Sequence, residues 1–115
     1  MKGGVQLVLI DSFKSAGGKD LIIDFIDSLD KFEKAEGYLL LEHLEEIESI
    51  DACIFYTKKI QEKVWEFKFK NHIRIFYVLC SKIYIYLLHV CKKQKNKTER
   101  HDKELALKRA KEIMK

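Results

Sequence analysis

The chain contains no proline, and only five glycines among its 115 residues. Without proline or a glycine-rich linker, nothing marks a hinge between domains. Cysteine is scarce and odd in number: Cys53, Cys80 and Cys91 are widely spaced and form no CxxC pair. That usage suggests neither a disulfide framework nor a zinc site. Cys80 and Cys91 fall inside apolar strand patterns, where a free thiol is expected to pack as a small core residue. Long apolar runs are missing too, because the longest, Ile83 to Leu88, is far below the ~18 residues of a membrane helix. Met1 to Ile10 lacks the long apolar region and small-residue cleavage site of a secretory signal. The Walker phosphate loop is absent, since SAGGKD at 15–20 has the wrong spacing. The expectation is one soluble, cytoplasmic domain spanning 1–115.

What is present is charge, unevenly divided. Hydrophobic residues make up 47% and charged residues 35%, the balance of a folded globular chain. Residues 1–57 hold five Lys/Arg against twelve Asp/Glu, a net of −7. Residues 58–115 hold seventeen against six, a net of +11. A solvated acidic helix surface accounts for the first half. The second half points to a polyanionic partner.

Val5 to Ile10 reads as a short buried strand, and SAGGKD as a turn into a helix. In LIIDFIDSL, Ile22, Phe25, Ile26 and Leu29 repeat at helical spacing while Asp24 and Asp27 face outward. Asp30 and Glu33 make a capping box for a second helix reaching about Glu48. Its inner stripe is expected at Phe32, Ala35, Leu39, Leu40, Leu44 and Ile47, with a bend or break at Gly37. Residues 49–63 read as an irregular connection. The period then changes to two: in VWEFKFK, Trp65, Phe67 and Phe69 point one way, and Glu66, Lys68 and Lys70 the other. Ile73 to Cys80 and Ile83 to Cys91 complete an antiparallel meander. A basic helix follows from Thr98, with Leu105, Ala106, Ala110 and Ile113 on its apolar side. The fold class is α+β: a curved, mainly antiparallel sheet with the helices on one face, leaving a cationic opposite face.

That face suits cleavage of RNA by attack of a 2′-hydroxyl on the adjacent phosphate. The reaction needs a base, an acid and cations for the charge growing on phosphorus. Arg74, the single arginine in the expected sheet, is the candidate charge clamp, because guanidinium holds phosphate bidentately. Lys68 is the candidate base or transition-state partner, against the plain reading of a solvated charge. Lys93 is placed as general acid or second clamp. Lys70, Lys92, Lys95 and Lys97 are read as backbone-phosphate contacts. His89 suits acid–base work, or is a satisfied structural histidine. Tyr77, Tyr84 and Tyr86 either stack on a base or belong to the core. His43, His72 and His101 have no constellation around them. The acidic residues of the helices are spread along exposed faces, so no metal site and no cofactor is expected.

Three stretches resemble the RelE/HigB toxin superfamily, in particular its phage-derived HigB-like branch. Trp65, Glu66, Phe67 and Lys68 resemble its W-E-L-R strand, and Arg74, Ile75, Phe76 and Tyr77 its Y-R-I-F-Y strand. Leu87, Leu88, His89, Lys93, Lys97 and Thr98 resemble its L-L-H-x-F-x-K-K-x-x-K-T-P run. Lys68 stands where that branch has arginine, Cys91 where it has phenylalanine, and Glu99 where it has proline. The resemblance implies a RelE-like fold and a messenger-RNA endoribonuclease toxin acting in the ribosomal A site. It also implies a hetero-oligomer with a HigA-like helix-turn-helix antitoxin. Two alternatives stay open: a non-catalytic RNA- or ribosome-binding module, and a domain that docks an acidic protein.

Overall fold

A computed structural model describes residues 7–70, 72–92 and 100–114. The expected contacts Lys93, Lys95 and Lys97 lie outside the described residues, as do the first residues of the expected strand at Val5. Strand β1 is Leu9–Ser12, followed by helices α1 (Leu21–Asp27) and α2 (Lys31–Glu46) and a single 3-10 turn at Ile50–Ala52. Strands β2 (Tyr56–Gln61), β3 (Val64–Phe69), β4 (Ile73–Ser81) and β5 (Tyr84–Lys92) come next, and helix α3 (Arg100–Ile113) is last. They form one mixed sheet of order β1-β5-β4-β3-β2. Only β1 pairs in parallel, against β5, and the other three pairings are antiparallel. No helix among the described residues is long and apolar enough to cross a membrane.

The helix starts follow from the sequence. Asp20 accepts from the amides of Ile22 and Ile23 to cap α1. Asp30 and Glu33 form the expected reciprocal box at the start of α2, worth about 1 kcal/mol for the cap alone. Gly18 takes the left-handed conformation, φ 87°, that closes the turn ahead of α1.

The inner stripe of α2 differs from the expected one. Glu33, Gly37, Leu40, Leu44 and the following Ile47 are buried, whereas Phe32 is 72% and Leu39 52% exposed. Ala35 is exposed as well. Gly37 explains the shift. A Cβ there would lie 3.0 Å from Ile26 Cγ2 and 3.4 Å from Phe69 Cζ. The missing side chain lets α2 pack directly on α1 and β3, so the helix runs through without a break.

Residues 49–63 are more ordered than expected, because Tyr56–Gln61 is an edge strand. Its sequence, YTKKIQ, shows no apolar alternation and carries an irregularity between Lys59 and Gln61. Two lysines and a bulge are common means of keeping an edge from pairing with another chain. Strand pattern and edge protection oppose one another in the sequence, and protection hides the strand.

The largest departure concerns the second sheet face. The first face packs Phe67, Phe69, Ile75, Tyr77, Ile85 and Leu87 against Ile22, Ile26, Leu40 and Leu44 of α1 and α2. The second is not open. Helix α3 covers part of it, burying Val64, Phe76, Val78 and Leu88 against Ala106 and Ala110. Helices therefore pack on both faces, not one. The thiols also part company: Cys91 is half-buried beneath α3, while Cys80 is exposed.

Candidate functional site

The rest of the second face, beside α3 and partly beneath its first turn, holds the polar chemistry. Tyr56, Lys68, Arg74 and Cys91 are register partners on β2, β3, β4 and β5, so they form one row across the sheet. The neighbouring row is Lys58, Glu66, Phe76 and His89. Period-two alternation places Glu66 and Lys68 together with Arg74 and Phe76 on this face. The structure thus brings Lys68 and Arg74 together on adjacent strands, as the sequence pattern implied, and adds His89 on the next strand, which the pattern did not place there.

Their environments differ from those expected. Arg74 is only 6% exposed, and its Nη1 donates to both carboxylate oxygens of the fully buried Glu66, at 3.4 and 3.5 Å. These are long bonds for a buried ion pair. Arg74 Nε has no hydrogen-bond partner among the described residues. Glu66 was expected to face solvent. It is instead the counter-charge that allows a guanidinium inside the domain. Lys68 is half-buried, with Nζ 5.0 Å from the centre of the Tyr56 ring. No ion pair among the described residues engages it. The free positive charge of the row is therefore that of Lys68.

His89 owes its place to a bulge. Phe76 pairs with His89, yet Tyr77 pairs with Leu87, leaving Leu88 as the extra residue of β5. Both Leu88 and His89 then sit under α3. Arg109 Nη1 donates to the Leu88 carbonyl at 2.8 Å, and its guanidinium lies 4.6 Å over the Phe13 ring. His89 stacks on Phe76 with ring centres 6.0 Å apart, and its Nε2 is 2.7 Å from Asp102 Oδ1. Burial pulls the imidazole below its ordinary range, outweighing the opposing pull of Asp102. A neutral ring that donates Nε2–H to the carboxylate keeps Nδ1 as its acceptor. Burial pushes the thiol of Cys91 up to about 12.

Two expected contacts lie elsewhere. Tyr77 is 1% exposed in the core of the opposite face, stacked on Phe67 at 4.0 Å and hydrogen-bonded to Thr57. That burial leaves no ring face for a base in this arrangement. Lys92 is on the α2 side of the sheet, its Nζ 3.2 Å from Glu33 Oε1. Lys70 is exposed at the end of β3, in a left-handed turn conformation of φ 51°.

Glu33 is a junction in its own right. It caps α2, accepts from Lys92, and meets His72 Nε2 at 2.6 Å. The His72 hydrogen bond, with smaller help from Lys92, holds its carboxyl at about 2. A folded-state value below the unfolded one gives stability that is present above about pH 4.5 and lost as pH falls toward 2. Replacing Glu33 with Gln is expected to flatten the acid limb of thermal stability across that window. An unchanged acid limb in the variant would show that this junction contributes nothing.

Asp102 and Arg109, seven residues apart, were not singled out in the sequence. With Ala106 between them they share the buried face of α3, which the apolar pattern alone does not reveal. His89, Cys91 and Asp102 bring an imidazole, a thiol and a carboxylate within 4.8 Å of one another.

Residues 24–111 match the family of phage derived proteins described as Gp49-like (DUF891), well over half of the chain. No curated protein matches it. The matched region takes in all of β2 to β5, most of α3, and every described residue of the cationic row. The chain belongs to the phage-derived Gp49-like family, a family associated with the toxins of toxin–antitoxin pairs.

Proposed function

We propose that this chain is the toxin of such a pair and that it cleaves messenger RNA on the ribosome. In this reading the fold is RelE-like, of the HigB-like branch, and the antitoxin is a HigA-like helix-turn-helix protein. The observation that carries it is the row of Lys68 and Arg74 on the second sheet face, with His89 in the neighbouring row under the first turn of α3. Lys68 supplies the mobile charge that meets the scissile phosphate. Arg74, buried with its Nε–H unpartnered, holds the row in place through Glu66 and adds its charge from beneath the surface. His89, oriented by Asp102, presents Nδ1 as proton acceptor for the 2′-hydroxyl. Lysine and arginine carry the phosphorane charge, so no metal ion enters the cleavage step. Lys70 and the lysines at 93, 95 and 97 add grip on the RNA backbone without base specificity.

Inducible expression tests the pairing. Growth is expected to stop, with transcript cleavage, when the chain is expressed alone, and to continue when the neighbouring open reading frame is co-expressed. Harmless expression of the folded protein, without transcript cleavage, would contradict the reading. One observation favours a second reading. Glu66 neutralises Arg74, and a row with one free cation suits RNA binding without cleavage. That module would protect RNA in a salt-dependent way and leave every transcript intact.

A further inference from the structure

We propose that His89, Cys91 and Asp102 form a binding site for a thiophilic divalent cation, with zinc the best fit to the donor set. The three donor atoms lie within 4.8 Å of one another. Tetrahedral zinc, with bonds of about 2.0–2.3 Å, needs ligand separations of roughly 3.3–3.8 Å. The cation would replace the 2.7 Å His89–Asp102 hydrogen bond, with the imidazole proton passing from Nε2 to Nδ1, and would displace the thiol proton of Cys91 to solvent.

The backbone prepares the set. His89 and Cys91 are two apart on β5 and project from the same face. Asp102 comes from the first turn of α3, so the three donors converge from two elements. Stacking on Phe76 fixes the imidazole plane. One thiolate and one imidazole select zinc over magnesium or calcium, which prefer oxygen. Arg74 is the register partner of Cys91 and would repel a dication there, but the Glu66 carboxylate offsets its charge. Three protein donors leave a fourth position for water, the pattern of open rather than closed zinc sites. Occupancy would pin α3 to β5 and take His89 away from proton transfer. The site goes beyond the cleavage reading and does not depend on it.

Cobalt titration of the chelator-stripped, full-length protein provides the test, because it reads ligands directly and needs no RNA. Wild type is expected to take up one equivalent, with tetrahedral visible bands and a thiolate-to-cobalt charge-transfer band. Zinc is expected to displace the cobalt. Cys91→Ser should abolish the charge-transfer band, and Asp102→Asn should weaken binding by at least about tenfold. The double variant Cys53→Ser/Cys80→Ser keeps Cys91 as its single thiol and should retain the band, which guards against misfolding of Cys91→Ser. An octahedral spectrum without charge transfer, loss of the band in the double variant, or full binding by Cys91→Ser would overturn the site.

Discussion

Arg74→Ala is expected to lower the stability of the domain by about 3–5 kcal/mol, the cost of breaking a buried ion pair from one side. Glu66 is fully buried and Arg74 6% exposed, so the variant strands a carboxylate beneath the sheet face. A loss of that size is a large share of the ~5–15 kcal/mol that holds a domain together. Replacing both partners removes the stranded charge. Glu66→Leu/Arg74→Met is therefore expected to recover most of the melting temperature, since well-packed apolar pairs at such sites are often neutral or stabilising. Urea unfolding of the two variants decides the matter. Equal stability of Arg74→Ala and wild type would show that the pair is hydrated. The double variant has a second use: a stable protein without the guanidinium separates the structural part of Arg74 from any part in catalysis.

Lys68→Ala should behave in the opposite way. Its side chain is half-buried and its contact is the face of Tyr56, worth about 0.5–1 kcal/mol at such a site. The fold is expected to survive nearly unchanged. RNA cleavage is expected to fall by roughly 10²–10³-fold, the usual loss when one donor to a developing oxyanion is removed. Lys68→Arg keeps the charge and is expected to restore most of that rate. This contrast makes Lys68, not Arg74, the decisive variant for the chemistry. A dead Arg74→Ala protein would not distinguish lost folding from lost catalysis.

The sequence showed part of this arrangement and concealed part. Period two in VWEFKFK and IRIFYVLC was enough to put Lys68 and Arg74 on one face, because a strand has only two faces to choose between. The capping box at Asp30 was equally legible, being purely local. Burial of that face was not. Helix α3 contacts the sheet through Ala106 and Ala110, small residues that let a helix approach closely yet add little to an apolar pattern. The pairing of Glu66 with Arg74 is likewise non-local: charged residues at outward strand positions read as solvated until a helix covers their neighbours. His89 was named in the sequence, but its place beside that row was hidden by the bulge at Leu88, which changes the phase of β5 within one residue. On α2 the error was one of phase as well. Phe32 and Leu39 outweigh a glycine in any hydrophobic count, but Gly37 marks the inner face because only the smallest residue fits there.

Cleavage mapping in a translating extract tests the central claim most directly. The purified chain is incubated with a defined messenger RNA on active ribosomes, and the new 5′ ends are mapped for wild type and Lys68→Ala. Discrete cuts with 5′-hydroxyl ends are expected from the wild type, absent where the cleaved nucleotide is 2′-deoxy and reduced at least about a hundredfold by Lys68→Ala. Intact transcripts with the folded wild-type protein, or equal cutting by a folded Lys68→Ala variant, would contradict the account.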